Sequence, residues 1–386
     1  MQKLTAAALL ALTLPGLGLA ATLEENAKTV LEFGPRVTGS PANEQARAYF
    51  EQQFKALGYQ TRRETFTYPR FDDLGSDVRA GEQTLKGFAL QNSGGGELTA
   101  AAVRVPGVGT LEDFAAVDVR GKIAVVARGQ VTFSQKAAAA LSAGATGLII
   151  VNNQAGELRG ALGDQTQLPV LGVSQQVGAA LKDGQRLILG VRVRRADVQG
   201  VNLVAFKAGV TQPEMLFGGH LDSVQGAPGA NDNLSGSLAV LELARRAAGT
   251  PLSQRSYFTL FDGEEDGLLG SRDFVKANAP IVKQLKAMFN LDMVGIDAEP
   301  LTLGGDAALM AAAGRVSKVQ LNASAPGGSD HVPFREAGVP ALFFHRGLDA
   351  NYHQPGDILL DEALVRGAVE VALKVADEVL SAAPAQ

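Results

Sequence analysis

The 386-residue sequence contains no cysteine, so neither disulfides nor thiolate ligands contribute to its stability or its chemistry. Stability must come from the core, a bound metal, or both, and any metal must be held by imidazole and carboxylate. Histidine is nearly as scarce: the four, His220, His331, His345 and His353, all lie beyond residue 219, where an even scatter would spread them along the chain. Runs of Lys and Arg are missing as well. With a formal net charge of -5, this argues against nucleic acid as the main partner, because phosphate neutralisation needs clustered cations. Acidic substrates are not favoured either. The apolar stretch at residues 4–14 is too short to cross a bilayer. With Lys3 before it, a Pro-Gly break after it, and the small residues Gly18 and Ala20 beyond, it reads as a secretory signal peptide over residues 1–20, cleaved near Ala20 or Ala21. The mature protein is expected to be secreted or periplasmic, without a membrane partner.

What is present is a globular composition, 46% apolar and 19% charged, enough to bury a large core in two domains. Residues 41–57 carry Ala46, Tyr49, Phe50, Phe54 and Leu57 at helical spacing, and the alternating QTRRETFTY that follows predicts a strand. From about residue 72 the texture changes to short β-like runs rich in glycine, and VRGKIAVVARGQVTFSQKAAAALSAGATGLIIVNN reads strand, helix, strand. From about residue 201 the runs NLVAF, EMLFGG, SYFTLF, KAMFNLDM and PALFFH have strand length and alternate with helical patterns such as LSGSLAVLELARRAA. A last helix is expected around residues 362–380. The alternation predicts an α/β fold, a mainly parallel central sheet flanked by helices.

In open α/β sheets, ligands bind beyond the carboxyl ends of the strands, and candidate metal ligands collect there. His220 follows EMLFGG, Glu264 and Glu265 follow SYFTLF, Asp292 ends KAMFNL, and His353 lies in the loop after PALFFH. Asp232, in GANDNLSG, has two readings. It is placed to cap the helix whose face Leu234, Leu238 and Leu241 define, or it belongs with the other acids. Nitrogen and oxygen donors without a thiol suit zinc.

The motifs GGHLDSV, GANDNLSG, FDGEEDGLLGS, NLDMVG, GGSDHVPF and NYHQPGD occur in this order, and with them the chain resembles the secreted double-zinc aminopeptidases. The likeness covers roughly residues 23–70 and 200–380. The segment between, with VRGKIAVVARG, AGATGLIIVNN and LPVLGVSQQVGAAL, resembles the protease-associated (PA) domain inserted in such enzymes. The implied organisation is a zinc peptidase domain formed by residues 21–71 and 200–386, interrupted by a β-rich α/β insert at residues 72–199.

Carried over, the resemblance makes His220 and Asp292 ligands of one zinc, Glu265 and His353 ligands of the other, and Asp232 the bridge. Cobalt or manganese could substitute for zinc. Ions about 3.5 to 4 Å apart repel by something on the order of 20 kcal/mol at an effective dielectric of 20, and a shared carboxylate offsets part of that. Three ligand carboxylates and a hydroxide balance two Zn2+ without Glu264, which is left as the general base. Asp222 is expected to orient the His220 ring, and Tyr352 to help polarise the scissile carbonyl. His331 and His345 are expected to be structural. Phe334, Phe343 and Phe344 are candidates for an apolar side-chain pocket, with core packing the expected role for at least one of them.

The implied substrate is a peptide with a free N-terminus, and the implied assembly a monomer. Three other functions share the scaffold: a carboxypeptidase, a glutaminyl cyclase, and a receptor-like binding protein without chemistry. Retention of all five ligands and Glu264 counts against the last.

Overall fold

The computed structural model describes residues 21–322 and 327–381; the signal-peptide reading at 1–20 lies outside them. The chain divides into two compact units, one formed by residues up to Tyr68 together with those from Val198, the other by Pro69–Asp197.

The first unit is built on an eight-stranded sheet. Its strands are β1 (Gln60–Asp73), β2 (Val193–Phe206), β3 (Met215–His220), β4 (Ser256–Phe261), β5 (Ala287–Leu291), β6 (Thr302–Gly305), β7 (Gln320–Asn322) and β8 (Ala341–His345), in the order β1-β2-β4-β3-β5-β8-β6-β7. The central four, β4, β3, β5 and β8, pair in parallel, while β2 runs antiparallel to β4 and β6 antiparallel to β8. Every residue of β3, β4 and β5 is buried, as expected of parallel strands covered on both faces. The five strand-like runs read from the sequence all form strands. The short strands β6 and β7 were not expected, because neither carries an apolar run.

Seven helices matter here: α1 (Leu23–Leu31), α2 (Pro41–Ala56), α3 (Gly236–Ala247), α4 (Leu269–Ala277), α5 (Ala307–Val316), α6 (His331–Glu336) and α7 (Glu362–Ser381). Helix α2 begins where the Ser40 side chain accepts the N–H of Asn43, with proline in the first turn, a combination that satisfies one free donor and dispenses with another. One core cluster joins Phe50 and Phe54 of α2, Leu238 and Leu241 of α3, Phe217, Phe258 and Phe289 of the sheet, and Val365 and Val369 of α7. A second lies around Phe261, Phe274 and Phe334.

Two glycines let three elements meet at the carboxyl end of the sheet. A Cβ on Gly219 would lie 2.8 Å from the carbonyl oxygen of Leu291, and one on Gly236 would lie 2.0 Å from the same atom. The end of β3, the start of α3 and the end of β5 therefore touch through backbone. Gly236 has ordinary helical angles, φ -69° and ψ -42°, so a substitution there acts by volume alone. Gly236→Ala should lower stability by about 1–3 kcal/mol, as forced overpacking does, seen as a lower urea midpoint at unchanged m-value. A variant as stable as the parent would contradict this packing.

The second unit is another eight-stranded sheet. Ile123–Ala127, helix Phe133–Ser142 and Gly147–Val151 form the strand-helix-strand unit read from the sequence, with the two strands parallel. Both sheet faces are covered: Ala124, Val126, Leu148 and Ile150 enter one core cluster, Ile123, Val125 and Ile149 the other. Period-two alternation places successive residues on opposite faces, so a continuous apolar run here means burial on both sides.

Candidate metal centre

His220 is the last residue of β3, Asp292 directly follows β5, and Glu264 and Glu265 follow β4 by a tight turn. His353 comes from the loop after β8 and sits in the left-handed region at φ 57°. Asp232 reaches them from the irregular turn Ala230–Ser235 that precedes α3. The first N–H of α3, that of Gly236, is accepted by the Asn233 side chain at 2.8 Å and not by Asp232. The helix-cap reading of Asp232 is thus not the one the structure adopts.

The Asp232 carboxylate faces two ways. Its Oδ1 lies 3.3 Å from His220 Nε2, and its Oδ2 lies 3.1 Å from His353 Nε2. On the first side, His220 Nε2 is 3.6 Å from Asp292 Oδ1 and 3.8 Å from Glu264 Oε2. On the second, His353 Nε2 is 3.0 Å from Glu265 Oε2.

Neighbouring groups aim these atoms. His220 Nδ1 lies 3.1 Å from the backbone oxygen of Asp222 and 3.5 Å from its carboxylate, which leaves Nε2 directed at the acids. The nearer acceptor is the carbonyl. The Asp222 carboxylate accepts the N–H groups of Glu264 and Glu265, each at 3.2 Å, so it also sets the glutamate pair. The Asp292 Oδ2 accepts from Ser329 Oγ at 2.7 Å, and Asn290 donates to that hydroxyl at 2.7 Å. Asp262, at the root of the glutamate turn, accepts from Arg47 at 2.6 Å, Asn43 at 3.0 Å and Thr38 at 3.0 Å. Asn231, Ser235 and Asn233 accept from the backbone of residues 293–295, tying the Asp232 turn to the loop after Asp292.

Electrostatics show a crowd of buried acids. Burial pushes Glu264 well above the usual carboxylate range, and Asp292, Asp330 and Glu265 push the same way against His220. Glu265 rises to about 7 for the same first reason, with Asp232 adding to it. Burial alone would lower His220, yet Glu264 and Asp292 hold it well above its ordinary value. His353 is raised to about 10: burial opposes the change, and its bonds to Asp232 and Glu265 drive it.

These residues fit a divalent cation. His220 Nε2, Asp292 Oδ1 and Glu265 Oε1 are buried without a hydrogen-bond partner, an arrangement that is costly unless something else satisfies them. Among the described residues two clusters have metal-binding spacing, His220 with Glu264 and Asp292, and His220 with Asp232 and Glu265. Tetrahedral ligands about 2.0 Å from zinc stand roughly 3.3 Å apart, close to the separations found here. Imidazole and carboxylate donors match that ion.

Of the other residues singled out in the sequence, Tyr352 stacks on the His353 ring at a centroid distance of 3.8 Å. Phe334 and Phe344 are fully buried in core clusters. Phe343 is stacked between His331 and His345, and His345 Nδ1 lies 2.9 Å from the backbone oxygen of Asp292. Sequence reasoning overlooked Asp357 and Arg36. The Asp357 carboxylate accepts the N–H of Asn231 at 2.7 Å and of Asp232 at 3.1 Å. Arg36 is completely buried among backbone carbonyls of residues 221–229. Asp357 closes the quoted motif NYHQPGD and was in view; Arg36 lies in none of the quoted motifs.

A mainly parallel α/β sheet with imidazole and carboxylate donors converging at its carboxyl end is suited to hold a catalytic metal. The chain belongs to peptidase family M28, whose model matches residues 202–375, and the PA domain model matches residues 92–181. It is 31% identical to the aminopeptidase YwaD of Bacillus subtilis over 354 residues, 84% of this chain and 76% of that protein. Among solved structures it resembles an aminopeptidase from Aneurinibacillus sp. strain AM-1 at 31% identity, with a TM-score of 0.70 and 94% of each chain covered. It also resembles BSAP, a zinc aminopeptidase from Bacillus subtilis, at 27% identity, with a TM-score of 0.76 and 93% and 95% of the two chains covered.

Proposed function

We propose that the chain is an exported aminopeptidase that works with a pair of zinc ions, His220 and Asp292 on one, Glu265 and His353 on the other, and Asp232 shared. The observation that carries this reading is the Asp232 carboxylate, whose two oxygens face two different histidines. The names of the relatives support the aminopeptidase class over a carboxypeptidase, a cyclase or a receptor-like protein. Among the described residues no helix is long and apolar enough to cross a membrane, which is compatible with export after cleavage of residues 1–20.

Bound zinc would polarise the scissile carbonyl and lower the pKa of the attacking water. Glu264, held beside the cluster by the Asp222 carboxylate, takes a proton from that water and returns it to the leaving amine. Tyr352 donates its hydroxyl to the carbonyl oxygen, oriented by its stacking on His353. Burial and the acids Asp232 and Glu265 push its phenol upward, so it stays a donor at neutral pH. The inserted unit contains no histidine, and its role is control of access or of substrate size, not chemistry. The working form is a monomer.

The substrate must present a free α-amine, which the converging carboxylates accept. Acetylating that nitrogen adds bulk and leaves a buried acceptor unpaired, at about 1–3 kcal/mol before any steric cost. A free leucyl amide should therefore be cleaved and its N-acetyl derivative left intact. Preferential cleavage of an N-blocked dipeptide would make the enzyme a carboxypeptidase, and pyroglutamate release from an N-terminal glutamine peptide would make it a cyclase.

A further inference from the structure

The turn that presents Asp232 is gripped by two buried side chains, one basic and one acidic, neither of which belongs to the ligand set. Arg36, fully buried, donates from Nε to the carbonyl of Leu221 at 2.8 Å, from Nη2 to that of Gly229 at 2.8 Å, and from Nη1 to that of Pro228. Leu221 follows the ligand His220, and Gly229 opens the turn that carries Asp232. One guanidinium thus ties together both ends of the loop between two ligands. The Arg36 backbone adds two more ties, its N–H to Ser223 Oγ at 3.0 Å and its carbonyl to the Ser223 N–H at 3.3 Å. Asp357 in turn accepts the N–H of Asn231 on Oδ1 and of Asp232 on Oδ2, while its carbonyl accepts the N–H of Ala230 at 3.1 Å. A planar fork and a two-oxygen carboxylate are the groups whose geometry allows such multiple grips.

We infer that Arg36 and Asp357 are positioning residues for the shared ligand: they fix the Asp232 turn, and the loop from His220, in the ligating arrangement before any metal arrives. The inference rests on the reading of Asp232 as a shared ligand, and it predicts an effect on zinc affinity, not on the chemistry of proton transfer. Changes in groups that orient metal ligands typically weaken binding by 10–100-fold, and that is the size expected here. Asp357→Asn is the sharper variant. Its side chain keeps the shape but offers one oxygen and one NH2 to two backbone N–H donors, so one grip becomes a donor facing a donor. Arg36→Met removes the fork at similar length.

The test is a competition titration of zinc-free protein against a chromophoric zinc chelator, with circular dichroism to establish the folded fraction. The parent titration measures the two-ion reading by itself, through its stoichiometry. Arg36 and Asp357 are judged by the ratio of variant to parent affinity at whichever zinc the Asp232 turn serves. D357N and R36M should each bind that zinc about 10–100-fold more weakly per folded molecule. If R36M does not fold, D357N decides alone. A role confined to the fold would lower the zinc-free melting temperature and leave the affinity of the folded protein at the parent value, and that result would overturn the inference.

Discussion

Glu264→Gln retains its zinc and loses about two to four orders of magnitude in kcat, the contribution expected of a positioned general base. The substitution is isosteric and the backbone N–H at 264 keeps its bond to Asp222, so the fold and the turn survive. What disappears is the ability to accept a proton. Burial and the surrounding acids raise the affinity of this carboxylate for a proton in the zinc-free site, and its Oε2 stands 3.8 Å from His220 Nε2 at the edge of the cluster, where a base must stand to receive a proton from a bound water. KM should change much less than kcat, because the lost interaction belongs to the transition state. The neighbouring Glu265→Gln should behave differently, since Glu265 Oε2 stands 3.0 Å from His353 Nε2, and its loss weakens metal binding itself. Zinc content by atomic absorption together with kcat separates the two. Equal zinc content and equal kinetics in the two variants would contradict this division of roles.

Removing the metal should have an effect at least as large. Chelation should reduce activity by more than about a thousandfold, since several kcal/mol of transition-state stabilisation leave with the ions, and added zinc should restore it. The zinc-free protein should also melt at a lower temperature. Three buried donor atoms, His220 Nε2, Asp292 Oδ1 and Glu265 Oε1, have no hydrogen-bond partner, and a ligand present at a thousand times its Kd adds about 4 kcal/mol to stability. Calorimetry with and without a chelator measures the shift. Full activity and an unchanged melting curve after exhaustive chelation would rule out a metal-dependent hydrolase here.

The parallel core of the sheet was legible because burial on both faces leaves runs such as SYFTLF and MLFGG without a charged residue to interrupt them. The converging imidazole and carboxylate residues were legible for a related reason: polar residues that directly follow such strands stand out. His220 and Asp292 are the clearest cases. Strands β6 and β7 were not legible, since at four and three residues they carry no pattern. Asp232 was ambiguous from local sequence, because an acid between asparagines before an apolar helix looks like a cap. In the structure its carboxylate turns to His220 and His353, the N–H at the start of the helix goes to Asn233, and both asparagines also bind the loop after β5. Arg36 and Asp357 act through hydrogen bonds spanning more than a hundred residues, and no local period or motif spacing encodes such a bond. Asp222 shows the same limit in a smaller way: its proximity to His220 could be read, but its grip on the glutamate turn across 42 and 43 residues could not.

The central claim is that one carboxylate, Asp232, joins two metal ions in a single site. Anomalous diffraction from crystals of the zinc-loaded protein, recorded on both sides of the zinc absorption edge, tests it most directly. Two peaks about 3.5 to 4 Å apart, one on each side of the Asp232 carboxylate and flanked by His220 and His353 respectively, are the expected result. A single peak, or two peaks that do not share Asp232, would contradict the account.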